Sequence, residues 1–132
     1  MVSQVGMAIY KLKKFTKWQL DHDVKDSQLL EVIQEINESP KIGGLGKFLY
    51  KKRIGNESAG KRSGHRVIVA AKIEQNYFFM YGFQKNEKDN LEEKELKIFK
   101  ELAKDYVSYS LYQLEIALKA GELQQLQERE NE

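Results

Sequence analysis

Apolar and polar positions in the middle of the chain follow the pattern of β-strands. Residues 46–54, 65–73 and 76–83 carry alternating or short continuous apolar runs, and turn-prone residues separate them. This pattern is typical of strands. Because the three runs follow one another closely, they predict an antiparallel meander. Residues 7–12 (MAIYKL) predict a further short strand before it.

Apolar residues at helical spacing flank the predicted meander on both sides. Residues 13–23 predict a short helix. Residues 26–39 predict a clearer one, which ends before Pro40 because the residue before a proline avoids the helical conformation. Two more helices are predicted after the strands, from Asn90 and from Ser110, each beginning with a capping-box pattern.

The predicted order β-α-α-β-β-β-α-α describes an α+β fold. The helices are expected to cover one face of the sheet, and no parallel strand pair is expected. The chain of 132 residues suits a single domain over 1–132, with residues 124–132 expected to fray as a tail. The glycine-rich segment 41–47 indicates a loop.

Composition narrows the class of protein. Hydrophobic residues make up 41% and charged residues 32%, which is a globular balance. The absence of cysteine excludes disulfides and thiolate catalysis. No apolar run approaches the roughly 20 residues of a membrane helix, so no membrane association and a cytoplasmic location are expected.

Charge is unevenly distributed although the net charge is only +2. Between Lys41 and Arg66 many lysines and arginines accompany a single acid, Glu57, whereas residues 115–132 are acidic. A basic centre favours a polyanionic partner, and ordinary surface variation is the alternative.

Three of these cations are predicted to gather on the sheet. Lys51 and Arg53 are two residues apart and therefore project from one strand face, and Arg66 opens the next strand across the hairpin. Lys85 follows the third strand, whose Tyr81 could stack on a base. Cations and aromatic rings on a sheet suit single-stranded nucleic acid. The alternative is that the rings belong to the core and the lysines protect strand edges.

Other chemistries lack support. The two histidines, His22 and His65, lie in different predicted elements, and no set of His, Asp and Glu has metal-ligand spacing. No phosphate-binding glycine motif precedes a helix. The sequence therefore predicts neither a metal nor another cofactor. His65 is a candidate general acid or base, and it is expected to point away from the face of Arg66.

Several motifs in order resemble the toxins of the RelE/ParE superfamily, and most closely its HigB-related RelE-like branch. These motifs are KFTKWQ at 14–19, KKR at 51–53, GKRSGHR at 60–66, YGFQKNEKDN at 81–90 and AGEL at 120–123. The resemblance implies a RelE-like fold, in which two N-terminal helices pack on a curved antiparallel sheet with C-terminal helices.

The resemblance also implies a function. The protein would be the toxin of a type II toxin–antitoxin system and a metal-independent mRNA endoribonuclease (an mRNA interferase) that inhibits translation on the ribosome. Its partners would be mRNA, the ribosome and a cognate antitoxin, expected to be a small helix-turn-helix protein that alone contacts operator DNA. The alternatives are a ParE-like inhibitor of DNA gyrase and a non-catalytic module that binds antitoxin and operator.

Matching positions suggest roles for individual residues. The candidate catalytic residues are Arg66 as phosphate clamp, Lys51 and Arg53 on the preceding strand, Lys85, and Tyr81. The candidate RNA contacts are Lys52, Lys61, Arg62, His65, Phe83 and Lys88, of which Lys52 could serve solubility alone. The sequence departs from its relatives in two respects: His65 stands where the branch commonly has an aromatic residue, and no histidine follows it.

Overall fold

A computed structural model describes residues 8–56, 61–85 and 91–126. Within these residues the chain forms six strands and four helices. In order they are β1 (Ala8–Leu12), α1 (Lys13–Asp21), α2 (Asp26–Glu38), β2 (Gly44–Gly46), β3 (Leu49–Asn56), β4 (Lys61–Ala71), β5 (Asn76–Gln84), α3 (Glu93–Val107), α4 (Leu111–Ala120) and β6 (Leu123–Leu126). The structure thus confirms the predicted α+β class.

The strands form one sheet in the order β2-β3-β4-β5-β1-β6. The antiparallel meander β3-β4-β5 is confirmed. The expectation that no strands are parallel is wrong, because β1 runs parallel to β5, with Ile9 opposite Tyr77 and Tyr10 opposite Phe78. The apolar pattern of a strand determines which face it buries and carries no information on the direction of a neighbour distant along the chain.

Helices pack on both faces of the sheet, which corrects the prediction of one covered face. Val67 and Val69 of β4 pack in a core with α1 and α2, whereas Ile68 and Ala70 pack in a second core with α3 and α4. A central strand buried on both sides has a continuous apolar run, as VIVAA does at 67–71. We call the two surfaces the α1/α2 face and the α3/α4 face.

Two short strands were not predicted. Gly44–Gly46, expected to be a loop, pairs with β3 at one edge of the sheet. At the other edge, β6 pairs antiparallel with β1 and buries Leu123 and Leu126. The expected fraying is therefore wrong for residues 124–126, and the rest of the predicted tail lies outside the described residues.

Polar contacts fix the N-terminal helices on the sheet. The ammonium of Lys11 in β1 is buried, and it donates to Gln19 Oε1 at 3.0 Å and to Asp26 Oδ1 at 3.3 Å. Gln19 Nε2 also donates to Asp26 Oδ1 at 2.8 Å. These bonds satisfy a charge whose burial would otherwise be costly, and they join β1, α1 and the start of α2.

The C-terminal helices agree in part with the predicted starts. Ser110 caps α4 as predicted, since its Oγ accepts from the Gln113 backbone N–H at 3.1 Å. The helix ends at Gly121, whose φ of 81° suits a residue without a side chain. The other helix begins later than predicted, with Glu92 as its N-cap, and Asn90 lies outside the described residues.

Candidate functional site

The strand register places three cations on the α3/α4 face. Arg53 of β3 lies directly opposite Arg66 of β4, and Lys51 lies opposite Ile68, two positions further along. Directly opposed residues share a face, and Ile68 belongs to the core under α3 and α4. Arg53 is exposed, and Lys51 and Arg66 are partly buried. The predicted clustering is confirmed, and the roles of these residues remain predictions.

Aromatic residues of β5 border this cluster. Phe83 lies opposite Arg66, and Tyr81 lies opposite Ile68. The ring of Tyr81 contacts Phe83, with centroids 5.8 Å apart, and Phe99 of α3, with centroids 5.1 Å apart. Tyr81 is partly buried, so its orientation is fixed by two rings while part of its surface is accessible.

Phe83 does not fit its predicted role as an RNA contact. It is only 3% exposed and belongs to the core between the sheet and the C-terminal helices. A buried ring cannot stack on a base, so this prediction is wrong for the present structure. The error arises because alternation places Phe83 on the correct face but does not show that the face is covered at that point.

Lys85 lies at the same end of the sheet as Arg66. It directly follows β5 and is exposed, and its backbone N–H donates to the carbonyl of Gly64 at 2.8 Å. Since Gly64 precedes the strand residues His65 and Arg66, this bond holds Lys85 beside the hairpin end. The structure thus places Lys85 at the end of the sheet where the cationic cluster lies.

Lys52 lies on the α1/α2 face, where it is buried beside an acid of α2. Its side chain is 8% exposed, and its ammonium is 3.5 Å from Glu35 Oε1 of α2. Because strand residues alternate between faces, Lys52 points away from Lys51 and Arg53. The predicted RNA contact through Lys52 therefore does not share the surface of the catalytic candidates, and the pairing with Glu35 gives this lysine a contact within the fold.

His65 also lies on the α1/α2 face, as expected, in a cluster separate from Arg66. Its ring contacts those of Trp18, with centroids 5.4 Å apart, and His22, with centroids 5.5 Å apart. Its Nε2 is 2.9 Å from Gln84 Nε2. The predicted RNA contact through His65 does not share the surface of the catalytic candidates, because β4 turns this side chain to the other side of the sheet.

Gly82 permits this ring cluster to form. A Cβ atom on Gly82 would lie 2.3 Å from Cε3 of Trp18, so the indole rests directly on the backbone of β5. Sequence reasoning missed this contact, although a glycine within the aromatic strand YFFMYGF is a signal of close approach.

The remaining predicted contacts lie towards the hairpin. Lys61 and Arg62 open β4, where they pair with Asn56 and Gly55. The predicted strand 65–73 therefore starts too late, since β4 begins before its apolar run. Lys88 lies outside the described residues.

Sequence reasoning also missed the lysines of α3. Lys94, Lys97 and Lys100 recur every three residues, and a Cβ on Gly46 of β2 would lie 3.7 Å from Lys100 Nζ. The helix packs across the same sheet face as the cationic cluster. Spacing of three along a predicted helix was the available signal.

The described part of the chain contains no group of three or more histidine, aspartate or glutamate residues positioned to hold a metal ion. None of its helices combines the length and the apolar character that crossing a membrane requires.

Comparison with protein-family models defines the class of protein as a toxin of a toxin–antitoxin system. The model described as the RelE toxin of the RelE/RelB toxin–antitoxin system matches residues 7–126, and the chain belongs to this family. Membership implies a cognate antitoxin as partner. A comparison with curated proteins found no match.

Proposed function

We propose that this toxin is an endoribonuclease that cuts mRNA on translating ribosomes without a metal ion. The observation that carries the proposal is the opposition of Arg53 and Arg66 across β3 and β4, with Lys51 on the same face. Like charges directly opposite each other destabilise a sheet. Three cations on one accessible part of a sheet attract a polyanion, which favours phosphate binding at this site.

The proposed reaction is transesterification within the RNA. The 2′-hydroxyl attacks the adjacent phosphorus, the bond to the 5′-oxygen breaks, and the products carry a 2′,3′-cyclic phosphate and a 5′-hydroxyl. A base removes the proton of the 2′-hydroxyl, and an acid supplies one to the leaving oxygen. No oxidant, reductant or second substrate is needed.

The named residues divide this work by their chemistry. Arg66 and Arg53 are suited to bind the non-bridging oxygens, where negative charge develops, because guanidinium groups donate two parallel hydrogen bonds. Lys51 and Lys85 are the candidate proton-transfer groups at this end of the sheet. Tyr81, held between Phe83 and Phe99, would stack on a base next to the scissile bond.

The proposal also covers the branch of the family, the location in the cell and the kind of antitoxin. We place the chain in the HigB-related branch, in the cytoplasm, with a small helix-turn-helix antitoxin that mediates contact with operator DNA. The motifs KKR, GKRSGHR and YGFQKNEKDN support the branch.

Induced expression tests the proposal. In cells that express the wild-type protein, we expect new mRNA 5′ ends within translated regions and an arrest of translation. Arg66→Ala should remove both, and Lys119→Ala, which alters an exposed lysine of α4, should retain both. Intact transcripts with loss of DNA supercoiling would instead establish gyrase as the target. Absence of any toxicity would establish a non-catalytic module.

A further inference from the structure

The first half of α3 carries a one-sided row of lysines. Lys94, Lys97 and Lys100 are three residues apart, so they stay on neighbouring positions of the helix surface and rise about 4.5 Å per step. With Glu93 and Leu96 they line an open groove of about 510 Å³. We call this surface the α3 groove.

The described residues do little to neutralise the lysines of the α3 groove. Among the described residues, no carboxylate oxygen lies within 4.0 Å of the ammonium of Lys94, Lys97 or Lys100. Of the lining residues that the structure describes, Glu93 alone is acidic. Three lysines against one acid attract an anionic partner.

The α3 groove is connected to the cationic sheet face. Lys100 reaches Gly46 of β2, and β2 is the neighbour of β3, which carries Lys51 and Arg53. At the preceding position of α3, Phe99 contacts Tyr81. A strand of RNA that leaves the arginine pair across β3 and β2 would therefore meet the lysines of α3.

We propose that the α3 groove binds the sugar–phosphate backbone of RNA beside the cleavage site. This inference rests on the proposed function, because it takes RNA as the substrate. Among the described residues, the lining holds lysines without aromatic or amide neighbours, which suits phosphates rather than bases, so the groove would contribute affinity without sequence preference. An acidic protein segment is the competing occupant.

Binding of a labelled RNA tests this proposal separately from cleavage. The probe is a fluorescent single-stranded RNA with 2′-O-methyl groups throughout, which cannot undergo transesterification. The test variant is Lys94→Gln/Lys97→Gln/Lys100→Gln. The matched control is Lys13→Gln/Lys14→Gln/Lys17→Gln, three exposed lysines of α1. Fluorescence anisotropy gives Kd over a range of salt concentrations, and circular dichroism verifies folding.

We expect the α3 variant to bind at least tenfold more weakly at low salt and the α1 control to bind as the wild type does. The slope of log K against log salt should fall by about 2, since each phosphate contact to a single strand contributes about 0.7. If the triple variant does not fold, Lys97→Gln/Lys100→Gln replaces it, with an expected slope change of about 1.4.

Unchanged affinity in a folded α3 variant would overturn the proposal, as would binding of an acidic antitoxin segment, and not RNA, at these lysines. The two proposals can fail independently. A wild-type protein that cleaves mRNA while the α3 variant binds the probe normally refutes the groove alone. Weakened binding by the α3 variant, with no cleavage by the wild type, refutes the proposed reaction alone.

Discussion

Arg53 and Arg66 face each other directly across two antiparallel strands. Like charges directly opposite each other destabilise a sheet, whereas favourable cross-strand pairs stabilise it by roughly 0.2–1 kcal/mol. Stability and function can conflict at a functional site, and an arginine pair at an accessible sheet end is a place to test for such a conflict.

Removing one of these charges should separate stability from activity. Arg53→Thr replaces a cation by a β-branched residue that favours strands, so we expect the free energy of unfolding to rise by roughly 0.2–1 kcal/mol. We expect toxicity to fall sharply in the same variant. Urea unfolding and growth after induction measure the two effects. A destabilised variant that is fully toxic would contradict both parts.

Adjacent lysines should behave in opposite ways. Lys51→Met should abolish toxicity because Lys51 shares the face of the arginines. Lys52→Met should retain toxicity, and its unfolding free energy should change by no more than about 1 kcal/mol, since an apolar residue of similar size replaces the buried amine and Glu35, which is 57% exposed, becomes solvated. Growth assays on the matched pair check this. Loss of toxicity in a folded Lys52→Met variant would contradict the prediction that only the cations of the α3/α4 face are needed for function.

Gly82 should tolerate no side chain. Gly82→Ala places Cβ 2.3 Å from the Trp18 ring, so the indole must move, and we expect a loss of about 1–3 kcal/mol in the free energy of unfolding. Gly55→Ala is the control, because its Cβ would lie 3.8 Å from Glu31 Oε1, and it should change stability by less than about 0.5 kcal/mol. Equal stabilities of the two variants would argue against the close packing of Trp18.

Alkaline pH should weaken the fold through a tyrosine of α3. Burial raises the pKa of Tyr106, and the nearby Tyr109, Glu122 and Asp105 raise it further. The neutral phenol is therefore favoured in the folded state. Its contribution to the free energy of unfolding is complete below the ordinary pKa of 10.0 and is lost as the pH rises through the higher pKa of the folded state. Urea unfolding above pH 9 should show a shallower decline in Tyr106→Phe than in the wild type. If the free energy of unfolding declines equally in both proteins, ionisation of Tyr106 is not the cause.

Local patterns predicted the part of the site that lies on β3 and β4. The period of two separated Lys51 and Arg53 from Lys52, and it placed Arg66 on the face opposite Val67. The same patterns did not show the parallel pairing of β1 with β5, because that contact joins distant parts of the chain. They also did not show that Phe83 is buried, since they predicted helices on one face of the sheet and the structure has them on both.

The chemistry of the cleaved ends tests the central claim most directly. Translating ribosomes assembled from purified components are treated with the toxin, and mass spectrometry identifies the termini of the mRNA fragments. We predict 2′,3′-cyclic phosphate and 5′-hydroxyl ends, no cleavage when the 2′-hydroxyl at the cut position is replaced by hydrogen, and no cleavage by Arg66→Ala. Cleavage that survives the 2′-deoxy substitution, or that leaves 5′-phosphate and 3′-hydroxyl ends, would contradict the account.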